Sequence, residues 1–255
     1  MIELRNVVKR YGNIIAVNGL NLSVPKGAVF GFIGPNGAGK TTTIKMLGGL
    51  IQPDKGEVFI KGIPMKTDPE KAKQIIGFIP DRPYLYEKLT GMEFLKFTAD
   101  LYGVKEDGFK EKAESILERF SLLDWRHELI EAYSHGMRQR LIMSAAILHE
   151  PEIVIVDEPM VGLDPAGIKM VKNLFKEMAD TGVSFFISTH TLSIAQDLCD
   201  QIGIIQRGRL IAKGTLNDLQ VLADASSGDL ESVFLKLTHE ESVGQIYYGD
   251  VRGSK

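Results

Sequence analysis

Apolar residues in this 255-residue chain fall into short runs that alternate with longer helical patterns. Such alternation is typical of a mostly parallel β-sheet flanked by helices. Two early segments, 2–7 and 14–24, are separated by turn residues around Gly12 and Asn13 and predict a small antiparallel hairpin sheet. The buried strands of the parallel sheet are predicted at 28–34, 75–80, 152–158, 183–189 and 201–206.

Between Tyr86 and Pro151 the pattern changes to three successive helical periods without a clear strand, at 90–102, 107–120 and 134–149. We therefore expect residues 87–150 to form a helical subdomain, inserted into an α/β core made of residues 1–86 and 151–220. Residues 221–255 are expected to hold C-terminal helices, interrupted at 226–228, and a polar tail. The last dozen residues, 244–255, are expected to be poorly ordered.

Composition narrows the function classes. The net charge is −3, with 30 Lys and Arg against 33 Asp and Glu, which leaves no basic field for nucleic acid. Cys199 is the single cysteine, so no disulfide framework exists and a reducing cytoplasm is expected. The longest apolar runs are far shorter than the roughly 20 residues of a membrane helix. The chain is expected to be soluble, with any membrane role coming through a partner.

The clearest chemical motif is GFIGPNGAGKTTTIKML, which has the pattern G-x-x-x-x-G-K-[ST] between an apolar run and a helix-forming run. Glycines let such a loop curl so that backbone N–H groups face a phosphate, and the following helix adds its positive dipole end. Lys40 is expected to reach the β- and γ-phosphates, and the Thr41 hydroxyl to bind Mg²⁺. The predicted phosphate site comprises Gly34, Pro35, Asn36, Gly37, Ala38, Gly39, Lys40, Thr41 and Thr42.

A second motif, IVIVDEPMVGLDP, ends a buried strand in two adjacent carboxylates. Asp157 is suited to holding Mg²⁺ through water, and Glu158 to polarising an attacking water as general base. In a protein without a phosphate loop, Asp-Glu after a strand is simply a turn. Here the phosphate loop favours the catalytic interpretation of the two carboxylates. For the same reason His190, at the polar end of another predicted buried strand, FFISTH, is interpreted as a functional residue.

These motifs, in this order, resemble the ATP-binding subunit of ABC (ATP-binding cassette) transporters over residues 2–238. Residues 34–42 match the Walker A loop and 153–158 match the Walker B strand. The resemblance implies a P-loop NTPase fold of the ABC ATPase type, with a mostly parallel sheet, a small antiparallel β subdomain and an inserted helical subdomain. It implies that the chain binds and hydrolyses ATP with Mg²⁺, with Glu158, His190 and Lys40 as the catalytic residues.

The resemblance also assigns roles to residues outside the two motifs. Residues 133–140 match the signature region, in which Ser134 and Gly136 would bind the ATP held by a second cassette. Asp164 ends the VGLD of the D-loop, and His190 is similar to the switch histidine. Tyr11 lies where the family places an aromatic residue that stacks on adenine, although a packed strand tyrosine is the alternative.

Partners and location follow from the same resemblance. The family works as a dimer of cassettes, so a second cassette and a separate transmembrane permease subunit are implied. The chain would then lie in the cytoplasm, peripheral to the inner face of the cell membrane. Whether the two cassettes are the same chain or different chains stays open.

The chain departs from the family pattern in two places. In YSHGMRQR, His135 replaces the first signature glycine and Tyr133 the usual leucine, whereas Ser134 and Gly136 remain. Asp81 stands at the usual glutamine position, where it is expected to serve as an oxygen ligand of Mg²⁺; the alternative is a turn acid before Pro83. Both variants are similar to the exporter branch of the family, which favours export.

The apolar segment after Asp81 has two interpretations. Its four apolar residues either line a groove that receives a cytoplasmic helix of the membrane subunit, or pack within the helical subdomain. They are Tyr84, Leu85, Tyr86 and Leu89. For the whole chain, the alternatives to a transport motor are an ATP-dependent clamp or regulatory subunit with little hydrolysis and a non-transport ABC protein.

Overall fold

The computed structural model describes residues 1–82, 84–225, 228–239 and 247–248. The strands are β1 Ile2–Tyr11, β2 Ile14–Val24, β3 Val29–Ile33, β4 Lys55–Ile60, β5 Ile63–Pro64, β6 Ile76–Ile79, β7 Ile153–Asp157, β8 Ser184–Thr189, β9 Gln201–Gln206, β10 Arg209–Gly214 and β11 Tyr247–Tyr248. The α-helices are α1 Lys40–Leu47, α2 Pro69–Gln74, α3 Gly91–Leu101, α4 Phe109–Arg119, α5 His135–Ile147, α6 Pro165–Asp180, α7 Leu192–Leu198, α8 Leu216–Leu222 and α9 Leu230–His239.

The strands form two sheets. The first is antiparallel, in the order β2-β1-β4-β5, and contains the predicted hairpin. The second has the order β11-β10-β9-β3-β8-β7-β6, and its strands from β9 to β6 run parallel. Every residue of β3, β7 and β8 is buried, because helices or the first sheet cover both faces, and such strands therefore read as continuous apolar runs. The predicted fold class is confirmed.

Helices α3, α4 and α5 lie in the chain between β6 and β7, which pair directly in parallel. Helix α5 packs closely on β6: a Cβ added at Gly77 would lie 2.4 Å from the Ala146 carbonyl oxygen. One hydrophobic cluster runs from Leu117 and Leu141 in these helices to Val154 in the sheet. The helical block is therefore bound to one face of the sheet through a shared core.

Helix α9 lies within the segment 221–255 where C-terminal helices were expected, whereas α8 begins at Leu216, before that bound. The interruption expected at 226–228 falls mostly on residues outside those described. So does the tail at 244–255, except for Tyr247–Tyr248, which pairs in parallel with Ala212 and Lys213 of β10. In the described part of the chain, no helix has both the length and the apolar character needed to cross a membrane.

A half-buried imidazole joins the helical block to the sheet. The His149 ring stacks on Tyr102, with ring centroids 3.7 Å apart, and its Nε2–H donates to the Ile76 carbonyl oxygen at 3.1 Å. Burial lowers the pKa of His149 to about 4, and the nearby Lys112 charge acts in the same direction. The neutral ring is therefore the form that the native state prefers.

We predict that this histidine makes stability depend on pH. Because its native pKa lies below the unfolded value, the unfolded chain binds the extra proton, and stability is lost as pH falls from about 6.5 towards 4. His149→Phe keeps the stacking and removes the titration. Urea unfolding at pH 4.5 and 7.5 should show a loss roughly 1–3 kcal/mol larger in wild type than in the variant. Equal losses would contradict the prediction.

Candidate nucleotide-binding site

The phosphate loop connects β3 to α1 and depends on close backbone approaches at two glycines. A Cβ added at Gly34 would lie 2.2 Å from the Ile205 carbonyl oxygen, and one added at Gly39 would lie 2.4 Å from the Ala16 carbonyl oxygen. Gly37 and Gly39 also have positive φ angles of 78° and 109°, which glycine adopts without strain. The loop thus curls at the start of α1, with Pro35, Asn36 and Gly37 exposed.

Lys40 lies across this loop. Its Nζ donates to the Gly34 and Pro35 carbonyl oxygens, at 2.7 and 3.2 Å. Burial lowers the pKa of Lys40, while Glu158 and Asp157 act in the opposite direction. The ammonium is therefore held in a low-dielectric position between the loop and two carboxylates, where its attraction for a phosphate is stronger than at the surface.

Asp157 is the last residue of β7 and is only 3% exposed. Burial raises its pKa, and the charges of Asp81 and Glu158 add to this effect, whereas the Ser188 and Thr41 hydroxyls oppose it. Ser188 Oγ is buried and makes no hydrogen bond within the described residues. The site therefore presents a partly compensated negative charge that a bound cation would stabilise.

Glu158 follows with φ at +51°, in the left-handed region that non-glycine residues rarely adopt. Its Oε1 lies 2.7 Å from His190 Nδ1, and its Oε2 accepts a hydrogen bond from Thr189 Oγ1 at 3.1 Å. The sheet register explains this meeting, because Asp157 pairs with Ser188, and Thr189 pairs with Ile33 before the phosphate loop. The structure thus brings Glu158, His190 and the loop to one edge of the sheet.

The residues present fit a Mg²⁺–nucleotide. In phosphoryl-transfer sites Mg²⁺ keeps several waters and is bound by one or two protein oxygens together with substrate phosphates. The donor set here is the Thr41 hydroxyl and the Asp157 carboxylate, next to the buried Ser188 hydroxyl that faces the same carboxylate. The described His, Cys, Asp and Glu side chains form no group of three or more suited to a metal.

The turn between β9 and β10 supports the loop through its backbone. Gly208 N donates to the Ala38 carbonyl oxygen at 2.9 Å, and the Gly208 carbonyl oxygen accepts from Asn18 N at 2.8 Å. Gly208 has φ of +77°, and an added Cβ would lie 2.8 Å from the Ala16 carbonyl oxygen. Sequence reasoning missed this support, because the two turn residues, Arg207 and Gly208, belong to no recognisable motif.

Tyr11 ends β1 at the tip of the hairpin, and its ring is about half exposed. Lys9 Nζ lies 5.8 Å from the centre of that ring. The hairpin approaches the phosphate loop through Ala16 of β2, whose carbonyl oxygen faces Gly39. The Tyr11 ring is therefore exposed at the hairpin tip rather than packed within the sheet.

The predicted signature residues Ser134 and Gly136 lie at the start of α5, in the helical block. Ser134 caps α5, since its Oγ accepts from Met137 N at 3.3 Å. Ser134 is exposed and Gly136 is half-buried. Among the described residues, neither is hydrogen-bonded to the phosphate loop of this chain. Asp164 similarly caps α6, with its Oδ1 accepting from Gly167 N at 2.9 Å.

The two unusual signature residues have separate structural explanations. Tyr133 is buried in the helical block and its hydroxyl donates to the Trp125 carbonyl oxygen at 2.6 Å. Burial raises the pKa of Tyr133 to about 12. The His135 ring packs on Gly162, where an added Cβ would lie 2.0 Å from His135 Cδ2. The start of α5 thus rests on the D-loop of the same chain.

Asp81 lies in the exposed turn after β6. It is near enough to Asp157 for its charge to raise the pKa of that carboxyl. The structure therefore places it at the same end of the sheet as the other predicted metal ligands, Thr41 and Asp157.

The β-sheet order, the phosphate loop and the carboxylates at the end of β7 define a P-loop nucleotide-binding protein. The family described as ABC transporter matches residues 17–161. The chain is 39% identical to the linearmycin resistance ATP-binding protein LnrL of Bacillus subtilis, and the match covers 86% of this chain and 70% of LnrL. The chain therefore belongs to the ABC transporter ATP-binding family, as the sequence motifs predicted.

Two solved structures agree with this assignment. An ATP-binding subunit of an ABC transporter has a TM-score of 0.89 at 33% identity, over 93% of this chain and 99% of that subunit. The dimeric structure of MJ0796, a bacterial ABC transporter cassette, has a TM-score of 0.78 at 26% identity, over 85% of this chain and 99% of the cassette. The family and the fold are thus established together.

Proposed function

We propose that this chain hydrolyses ATP to power a membrane transporter of the export type. The observation that carries the proposal is the contact between Glu158 and His190, at 2.7 Å, beside the buried Lys40. Membership of the ABC family supports ATP as the substrate. The drug-resistance relative LnrL supports export, since resistance to an antibiotic is consistent with its removal from the cell.

The geometry suggests how the residues would divide the chemistry. Glu158 accepts a proton from the attacking water, because its carboxylate is partly buried and fixed at both oxygens. Lys40 and the loop N–H groups bind the phosphates and stabilise the charge that develops on them. Bound Mg²⁺ supplies further charge neutralisation at the phosphates. Thr41 and Asp157 would hold it, and Asp81 would add an oxygen at the edge of the site.

His190 and Tyr11 would position the substrate. His190 is 57% exposed while its Nδ1 contacts Glu158, so its remaining ring edge is free to meet a phosphate. Tyr11 would stack on the adenine, because its ring is exposed at the tip of the hairpin whose Ala16 carbonyl oxygen faces Gly39. Catalysis in such sites rests chiefly on positioning and charge stabilisation.

A second cassette would complete each site. Among the described residues, Ser134 and Gly136 at the start of α5 make no hydrogen bond to the chain's own phosphate loop, and a helix N-terminus attracts phosphate. The dimeric state of the similar MJ0796 cassette supports this arrangement. In it, the Ser134 hydroxyl and Gly136 N–H would bind the ATP held by the partner, with Asp164 near the junction. Dimer closure on ATP and opening after hydrolysis would move the membrane subunit.

The intact catalytic pair argues against the alternative of a clamp with little hydrolysis. A binding module would not need Glu158 fixed by both His190 and Thr189. The His135 variant also leaves Ser134 and Gly136 in place, because its ring turns towards Gly162. We therefore favour an active ATPase with a variant signature.

The membrane subunit would dock on an apolar patch formed by Tyr84, Tyr86, Phe97 and Leu101. Tyr84 and Tyr86 are 88% and 59% exposed, and Tyr86 contacts Phe97 edge-on at 5.4 Å. Leu85 and Leu89 instead pack against the core of the helical block. Outward aromatic residues of this kind suit an amphipathic helix of a partner. Docking there would hold the chain at the inner face of the membrane.

We predict that Glu158→Gln binds ATP but hydrolyses it about 10²- to 10⁴-fold more slowly, because the general base is lost. Hydrolysis by purified wild type should rise in specific rate with protein concentration, as two chains assemble each site. Glu152→Gln is the matched control, since Glu152 pairs with Lys61 at the opposite end of β7. Full turnover in Glu158→Gln would contradict the assignment.

The patch gives a second prediction. Tyr84→Ala with Tyr86→Ala should leave ATP hydrolysis by the isolated chain within about 2-fold of wild type, because neither side chain touches the catalytic pair. The doubly changed chain should no longer sediment with washed membrane vesicles from the cells that produce its transporter. Val221→Ala, which removes another exposed apolar side chain, serves as control. Undiminished sedimentation of the double variant would exclude the patch as the docking site.

A further inference from the structure

We propose that Thr189 is a positioning residue that holds the Glu158 carboxylate in its reactive orientation. This inference rests on the proposed function, because it gives Thr189 a role in the reaction that Glu158 performs. Thr189 ends β8 and is 2% exposed. Thr189 directly precedes His190 in the sequence, but it belongs neither to the phosphate loop at 34–42 nor to the carboxylate motif at 153–158.

The hydrogen bonds around Glu158 fix each oxygen separately. His190 Nδ1 lies 2.7 Å from Oε1, and Thr189 Oγ1 donates to Oε2 at 3.1 Å. Two partners on different oxygens define the plane of a carboxylate, whereas one partner leaves it free to rotate. The hydrogen bond from Thr189 is thus the second contact needed to fix the plane of the Glu158 carboxylate.

The direction of the Thr189 bond is set by a third group. Thr191 N donates to Thr189 Oγ1 at 3.0 Å. Because this N–H occupies an acceptor position of the hydroxyl, the hydroxyl proton is directed to Glu158. The backbone N–H, hydroxyl and carboxylate form a chain in which each bond strengthens the next, and hydrogen bonds to a charged acceptor are stronger than neutral ones.

The two partners of Glu158 differ in how firmly they are held. His190 is 57% exposed, whereas Thr189 is buried within a strand paired on both sides. Strand β8 also anchors the Glu158 backbone, since Glu158 N donates to the Ser188 carbonyl oxygen at 2.9 Å. The buried hydroxyl therefore keeps the carboxylate in place when the exposed imidazole turns towards substrate.

The test compares Thr189→Val, which keeps the β-branched shape and removes the hydroxyl, with Thr189→Ser, which keeps the hydroxyl. Steady-state ATP hydrolysis should show kcat reduced about 10-fold or more in Thr189→Val, with KM for ATP within about 2-fold of wild type. Thr189→Ser should recover kcat to within about 3-fold. Thr98→Val is the control, because the Thr98 hydroxyl bonds to the Phe94 carbonyl oxygen in α3, and it should retain wild-type kcat.

A double-mutant cycle separates this role from a structural one. Thr189→Val should have little further effect on single-turnover hydrolysis when Glu158→Gln is already present, because the hydroxyl acts through that carboxylate. The same fall in both backgrounds, or a Thr189→Ser variant as slow as Thr189→Val, would overturn the proposal. Thermal unfolding confirms folding, and if Thr189→Val does not fold, Thr189→Ala replaces it in the same comparison.

The same measurements distinguish failure of the proposed function. If wild type hydrolyses ATP and Glu158→Gln abolishes it, the proposed function holds, and unchanged kcat in Thr189→Val overturns the Thr189 role alone. If wild type shows no hydrolysis above the Glu158→Gln rate at any protein concentration, the proposed function fails, and the role of Thr189 falls with it.

Discussion

Two adjacent carboxylates at the end of a buried strand are the constraint on which the site depends. Asp157 is almost fully buried, and Glu158 follows it with a left-handed backbone angle. Burying such charges is costly unless other groups compensate them. Lys40 does so from the phosphate loop, and hydroxyls at the end of β8 do so from the neighbouring strand. The phosphate loop and the β7–β8 pairing are therefore coupled through electrostatics, and a Mg²⁺–nucleotide would complete the balance of charge.

Much of the fold could be predicted from the sequence, because the central strands are buried on both faces. Continuous apolar runs such as IVIV in β7, rich in β-branched residues and ended by polar ones, are typical of strands buried on both faces. Two of the strands that sequence reasoning missed lack this signal: β4 contains Lys55, Gly56 and Glu57, and β5 has two residues. The start of helix α6 has the usual sequence signal, a capping Asp164 followed by Pro165. The helix was missed because Asp164 was interpreted only as a D-loop residue.

The site could be predicted only in part, because some of its contacts are local in sequence and others join distant residues. The phosphate loop and the carboxylate pair are local in sequence, so their spacing alone identifies them. The contacts of Thr189 with Glu158 and of His135 with Gly162 join residues about 30 positions apart, and they depend on strand register and helix packing. A polar strand end, Ser-Thr-His, was the single signal for the first contact. No pattern in the sequence predicts the contact of His135 with Gly162, or the turn at Gly208 that supports the phosphate loop.

Buried Asp157 carries an unfavourable charge that Mg²⁺–ATP would relieve, and Asp157→Asn tests this relation directly. Since the pKa of Asp157 is raised in the native state, the charged form destabilises the nucleotide-free chain at pH 7. Calorimetry should show Asp157→Asn more stable than wild type without nucleotide, by roughly 1 kcal/mol. The Mg²⁺-dependent part of the ATP-induced rise in Tm, which EDTA removes from wild type, should be lost. A variant less stable than wild type that keeps the Mg²⁺-dependent rise would contradict the account.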